Sequence, residues 1–134
     1  MSMVITVHDE TTGGFRSNSF ELTFPTESIT VRELIRERIY QEVQDYNRKA
    51  DDTATLFRGL VQPRESEVAI NGFRVPTGKQ VDWKDQFVKA CTAYEQNRIL
   101  VLAGDQQTES LDETLLLKRG TEVTFLRLVL LVGG

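Results

Sequence analysis

The sequence predicts an α+β chain: a mixed sheet with one main helix packed across it and a hairpin-helix subdomain inserted between its strands. Three observations carry this. Runs with strand character stand near both ends of the 134 residues, and a capped segment of helical period follows the first two. A hairpin signal and a second helical pattern, different in character from their flanks, fill residues 50–97.

Taken in order, Val4, Ile5, Thr6, Val7 and His8 form a short β-branched run. Thr11, Thr12, Gly13 and Gly14 read as a turn. In the next run Phe20, Leu22 and Phe24 share one face and Ser19, Glu21 and Thr23 the other, so the two runs read as a hairpin with one buried side. Pro25 ends it. Thr30 and Glu33 have the spacing of a capping box, which satisfies orphan amides at a helix start. Val31, Leu34, Ile35, Ile39, Val43 and Tyr46 then make one apolar face, and Arg32, Arg36, Glu37, Gln41, Glu42 and Asp45 fall largely opposite. This predicts a helix from 31 to about 48. Burying its stripe would contribute about 1.5–3 kcal/mol per large apolar side chain.

The middle of the chain breaks at Asp51, Asp52 and Thr53, and residues 56–61 show no clear period. Residues 68–75 read as a hairpin, with Asn71-Gly72 as a two-residue turn tolerating positive φ. Asp82 is the expected N-cap of a second helix, about 82–97, with Trp83, Phe87, Ala90, Cys91 and Tyr94 on one face. After it, the continuous apolar run Ile99, Leu100, Val101, Leu102 and Ala103 is that of a covered central strand. Ser110 and Glu113 repeat the capping-box spacing and predict a short helical turn. Leu115–Leu117 reads as a brief strand, and a final strand starts at Glu122. This order suits first and last strands lying side by side at the sheet centre, the arrangement of a β-grasp domain. The whole of 1–134 then reads as one such domain with 50–97 inserted in it.

Composition narrows the function classes. A net charge of -4 and a pI near 5.1 argue against a nucleic-acid partner. One cysteine cannot form an intrachain disulfide, which suits a reducing compartment. The first residues lack the pattern of a secretory signal, and no apolar run approaches the roughly 20 residues of a membrane span. A cytoplasmic protein without a membrane partner is expected. One His and one Cys make no zinc site, and Gly13-Gly14 lacks the spacing and lysine of a phosphate loop. Cys91 shares a face with Trp83, Phe87 and Tyr94 and reads as a structural thiol. His8 falls on the outward phase of its strand and reads as a surface residue. The carboxylates of the first helix are expected on its solvated face. No catalytic or metal site and no bound cofactor is expected, so the chain does not read as an enzyme.

The tail is unusual. Leu128, Val129, Leu130, Leu131 and Val132 run without charge into Gly133 and Gly134. Glycine lacks a Cβ, so a Gly-Gly segment enters slots closed to other residues. In the preceding strand Val123 and Phe125 share a face. Beyond Phe125 the polarity inverts, with Arg127 inward and Leu126, Leu128 and Leu130 outward. Strict alternation does not do this without a bulge or a change of environment. Leu126, Leu128, Leu130 and Val132 are therefore either a docking stripe or core covered by the insertion.

The segment Leu102-Ala103-Gly104-Asp105-Gln106 resembles a strand-turn segment of ubiquitin, and Ser110-Leu111 stands where ubiquitin has a Thr-Leu pair. The Gly-Gly ends match with a net shift of one residue. The stretch from Gly120 to Phe125, with its apolar tail and Gly-Gly, is also similar to sulfur-carrier β-grasp proteins. The resemblance covers 99–134; residues 1–48 match in element order and 50–97 not at all. Most of all, the chain resembles bacterial ubiquitin-like proteins found with E1-like, E2-like and peptidase-like partners. The resemblance implies that an E1-like enzyme, using ATP and Mg²⁺, adenylates the Gly134 carboxylate, that an E2-like enzyme follows, and that the product is an isopeptide bond to a target. A deconjugating peptidase is a further implied partner, while self-association into a homo-oligomer is an expectation from the acidic composition, the apolar tail and the sizeable insertion. Two readings stand beside this one: a sulfur carrier bearing a thiocarboxylate, and a non-conjugated interaction or oligomerisation module. Two departures bear on partner choice. The lysine that ubiquitin has before its glutamine is Asp105 here, and the tail lacks ubiquitin's arginines, so a dedicated partner set is expected.

Overall fold

In the computed structural model, which describes residues 2–12, 16–49, 55–69, 72–76 and 78–128, the first two alternating runs become β1 (Met3–Thr11) and β2 (Arg16–Phe24). Gly13 and Gly14 lie outside the described residues. The elements that follow are β3 (Ser28–Thr30), α1 (Val31–Lys49), β4 (Thr55–Phe57), β5 (Glu67–Ala69), β6 (Gly72–Val75), α2 (Trp83–Glu95), β7 (Ile99–Ala103), β8 (Gln106–Gln107), β9 (Thr114–Leu116) and β10 (Glu122–Arg127). The fold is α+β with a mixed sheet. By compactness the chain divides into two units, one of residues 1–34 with 91–134 and one of 35–90.

The first unit holds a five-stranded sheet of order β2-β1-β10-β7-β8. The first strand and β10 are parallel neighbours at its centre, as the sequence led us to expect; the other pairs are antiparallel. Ile5, Val7, Leu22, Phe24, Val101, Val123 and Phe125 are buried on one face. The turn between β7 and β8 uses Gly104 at φ +61°, a left-handed conformation that favours glycine. Beside the sheet, β3 pairs with β9. The expected helical turn at Ser110 is instead one hydrogen-bonded turn, from Glu113 N–H to the Ser110 carbonyl. The Glu113 carboxylate accepts from Glu109 N–H at 2.7 Å, so the box does not close on Ser110.

The capping box of α1 is formed. Glu33 N–H donates to Thr30 Oγ1 at 3.1 Å, and Thr30 N–H donates back to the Glu33 carboxylate at 3.3 Å. Val31, Leu34, Ile35, Ile39 and Val43 are buried as the period predicts. One expectation for this helix fails. Glu42 is not on a solvated face: its side chain is 12% exposed and accepts from fully buried Arg38 at 3.2 Å and from Leu60 N–H at 3.1 Å. The reason is that the 58–61 segment turns back onto that side of α1, which local period does not reveal.

The second unit contains a three-stranded sheet of order β4-β6-β5. The expected hairpin exists, but its register pairs Ala69 with Gly72. Gly72 is therefore a strand residue; Ile70 and Asn71, which connect the strands, lie outside the described residues. A Cβ on Gly72 would stand 2.6 Å from the Phe57 carbonyl oxygen of the neighbouring strand, so close strand approach rather than the turn requires glycine. Phe57 itself is buried and meets Tyr46 edge to face, with ring centroids 5.2 Å apart. Asp82 caps α2, its carboxylate accepting from Lys84 N–H at 3.0 Å. The other end closes as a Schellman motif. Asn97 sits at φ +60°, Arg98 N–H donates to the Ala93 carbonyl and Asn97 N–H to that of Tyr94. On this helix Ala90, Cys91 and Tyr94 are buried while Trp83 and Phe87 are half-buried, and Gln86 is an unforeseen buried polar residue.

Candidate docking face and tail

Because side chains alternate across a strand, the face opposite the core of the five-stranded sheet follows from the register. It carries Thr6, His8 and Glu10 from β1, Ser19 and Glu21 from β2, Glu122, Thr124 and Leu126 from β10, and Leu100 and Leu102 from β7. Leu126 stands directly across from Leu100 in the ladder, and Thr124 across from Leu102. These three leucines are half-buried and Leu128, just past the strand, is exposed at 38%. Leu128 N–H donates to the Arg98 carbonyl at 2.9 Å, which carries the pairing one residue beyond β10. Of the expected stripe, Leu126 and Leu128 are among the described residues; Leu130 and Val132, with Gly133 and Gly134, lie outside them.

The polarity inversion in β10 has a definite geometry. Pairing runs without a shift from Thr6↔Glu122 to Thr11↔Arg127 on one side and from Val123↔Ala103 to Arg127↔Ile99 on the other. No bulge interrupts this strand. The register shifts elsewhere, in the pairing of β1 with β2, where Asp9 pairs with Asn18 and Glu10 with Arg16, so the extra residue is on β2. Arg127 therefore stays in phase with Val123 and Phe125, and its Nε is buried without a hydrogen-bond partner among the described residues. Such a donor costs about 1–3 kcal/mol. The environment, and not the register, changes at the end of the sheet.

Leu100 and Leu102 were not expected in the stripe. Their run reads as uniformly apolar, and only the pairing with β10 reveals that Leu100 and Leu102 share a face with Leu126. His8 requires a correction. Its outward phase is as expected, yet it is only 6% exposed. Its Nδ1 is 2.8 Å from the Ser19 hydroxyl and its Nε2 is 2.9 Å from a Glu122 carboxylate oxygen. The flanking strands present short Ser19 and Thr124 side by side with the ring, and Glu122 closes over it. Ser19, His8 and Glu122 stand in the atom order of a nucleophile relay. However, two cavities of about 440 and 350 Å³ have other linings, and neither includes Ser19, His8 or Glu122. The geometry is that of a clasp across three strands.

The hydrogen bond from His8, then the charge of that ring and, more weakly, of Arg16, hold the Glu122 carboxyl below the usual carboxylate range. A carboxyl depressed in the folded state stabilises the fold where it is ionised. The contribution is fully present above the unfolded value near 4.5 and is lost as pH falls through the folded value. Melting temperatures of the wild type and Glu122→Gln should therefore differ at neutral pH and converge on acidification below the carboxylate range. Parallel profiles would show that the clasp does not couple to stability.

Cys91 is buried, and burial pushes its thiol up, with Arg32 opposing and Glu95 adding to the shift. That environment disfavours the thiolate a nucleophile requires, consistent with a structural thiol. No group of three or more His, Cys, Asp or Glu side chains suited to a metal ion occurs among the described residues. No helix among them is long and apolar enough to cross a membrane. Comparison with known proteins returned no match to any family model, curated protein or solved structure.

Proposed function

We propose that this chain is a ubiquitin-like modifier of the β-grasp type, whose Gly134 carboxylate is activated by an E1-like enzyme and passed on to a target. The observation that carries the reading is the place of β10. It lies parallel to β1 at the centre of a sheet of order β2-β1-β10-β7-β8, and in the sequence it is followed by the apolar run that ends in Gly133-Gly134. A strand held on both sides fixes where the tail leaves the domain, and the glycines let it enter a narrow enzyme slot.

In this reading the chain supplies a carboxylate, whether Gly134 is the encoded last residue or is released by a processing peptidase. A carboxylate oxygen attacks the α-phosphate of ATP, Mg²⁺ supporting the charge, and pyrophosphate leaves. A cysteine thiolate of the activating enzyme then attacks the acyl carbon and expels AMP. After transfer to an E2-like enzyme, an amine of the target displaces the thiolate to give an isopeptide bond. The chain itself contributes recognition, for which half-buried Leu100 and Leu126 and exposed Leu128 offer an apolar surface.

The test is incubation with an E1-like adenylating enzyme and ATP. The wild type should form a thiol-sensitive adduct with that enzyme and support ATP–pyrophosphate exchange, and deletion of Gly134 should abolish both. A thiocarboxylate recovered from the reaction in place of a conjugate would convert the assignment to a sulfur carrier. Absence of exchange with the adenylating enzymes encoded beside this chain would leave an interaction module as the better account.

A further inference from the structure

We propose that a cavity in the second unit, at the start of α2, binds an alkylammonium group through the amide oxygen of Gln86 and the carboxylate of Asp82. The inference is independent of the modifier reading, because none of its residues belongs to the sheet face or the tail.

The cavity has a volume of about 350 Å³, within the range of small-ligand sites. Pro63, Val75 and Val81, all buried, supply its apolar lining. Gln86 lines it as well and is 1% exposed. Its Nε2 donates to the Val61 carbonyl at 2.8 Å, and Val61 is not among the lining residues. That bond fixes the amide, since the reversed orientation would set oxygen against oxygen. Gln86 Oε1 is left buried without a hydrogen-bond partner among the described residues. A buried acceptor without a donor is uncommon in folded proteins, and an N–H group of a ligand in the cavity would satisfy it. Asp82 stands four residues earlier, on the same side of the helix start, and Gln86 N–H donates to its carbonyl.

The charges of the lining specify the donor. Glu65, Asp82 and Asp85 stand there against Arg64 and Lys79. Arg64 pairs with Asp85 at 3.1 Å and Lys79 pairs with Glu65, so each lining cation is already engaged by a lining carboxylate. From outside the lining, Lys89 approaches the second Asp85 oxygen at 3.8 Å. The remaining carboxylate, Asp82, accepts from Lys84 N–H and forms no ion pair among the described residues. An anion would have to break two ion pairs and face the Asp82 charge, and a neutral donor would leave that charge unanswered. An ammonium group carries N–H donors for Gln86 Oε1 and for Asp82 together, while its aliphatic stem lies against Val75 and Val81. A free diamine and a lysine side chain of a partner protein both present this chemistry.

The experiment titrates the isotope-labelled full chain, followed by NMR, with putrescine, Nα-acetyl-lysine methylamide, n-pentanol and acetate at matched ionic strength. The two ammonium compounds should shift the Gln86 side-chain amide resonances saturably, and pentanol and acetate should not. Asp82→Asn keeps a capping side chain, so α2 persists, and should weaken ammonium binding about threefold or more. Gln86→Met removes the acceptor and should abolish saturable binding, read on the Val75 and Val81 methyl groups. Circular dichroism and melting establish that each variant folds, and the Asp82→Asn comparison decides alone if Gln86→Met does not. Tighter binding of the lysine compound assigns the site to a lysine of a partner protein, and tighter binding of putrescine to a free amine. The proposal is overturned if no saturable shift occurs at Gln86, or if pentanol or acetate produces the same shifts. It is also overturned if Asp82→Asn binds the ammonium compounds as tightly as the wild type.

Discussion

Phe125→Ala is expected to cost about 3–5 kcal/mol of stability, read as a lower urea midpoint with an unchanged slope. Phe125 is fully buried in β10, between Asp9 of β1 and Val101 of β7 in the ladder. Strands close both flanks, so the sheet cannot collapse into the space a missing ring leaves, and the cavity adds to the lost transfer energy. Leu128→Asp, only three residues on, provides the contrast. Its side chain is 38% exposed, and stability should change by no more than about 0.5 kcal/mol. The same substitution should abolish engagement of the activating enzyme in the proposed function. Should Leu128→Asp unfold the protein as Phe125→Ala does, the leucines past Phe125 are core and the docking stripe is wrong.

Arg38→Ala should be as damaging, at about 3–5 kcal/mol, for a different reason. Arg38 is fully buried and donates to Glu42, whose second oxygen accepts from Leu60 N–H. Truncating the arginine takes the Arg38 counter-charge from a nearly buried carboxylate, and that loss costs more than the missing contact. Arg38→Met combined with Glu42→Gln should recover most of the loss. Methionine refills the volume, and the glutamine carbonyl can still accept from Leu60. Chemical denaturation of the single and double variants separates the cases. Equal loss in both would mean that neither volume at position 38 nor the uncompensated charge carries the effect, and that the hydrogen-bonded pair itself is what stabilises the fold.

The two variants also show how the sequence could be read. Phe125 was legible because Val123 and Phe125 alternate with Glu122 and Thr124 over a few residues. Arg38 was not, since a charged residue at a helical position reads as solvated unless something distant covers it. The candidate face divides similarly. Leu126 and Leu128 could be selected from parity, whereas adding Leu100 and Leu102 required the antiparallel register of β7 with β10. Trp83 was placed on the apolar face of α2, but its contacts with Arg36 and Tyr40 depend on α1, more than forty residues earlier.

What the sequence determined by itself is whatever its neighbours in the chain enforce. It includes the capped start of α1, the Asp82 cap of α2, the β-branched run of β1, the alternation of β2, and the inward phase of Val123 and Phe125. Each is set by groups within a few residues, through hydrogen bonds of capping boxes and the fixed periods of strand and helix. The tertiary structure decided the rest. It formed β3 and β4, too short to carry a period, by pairing them with strands distant in sequence. It moved the hairpin register so that Gly72 lies in a strand. It buried His8 beneath Glu122, across a separation of 114 residues. Burial and ion pairing depend on which surfaces meet, and a local pattern does not contain that information.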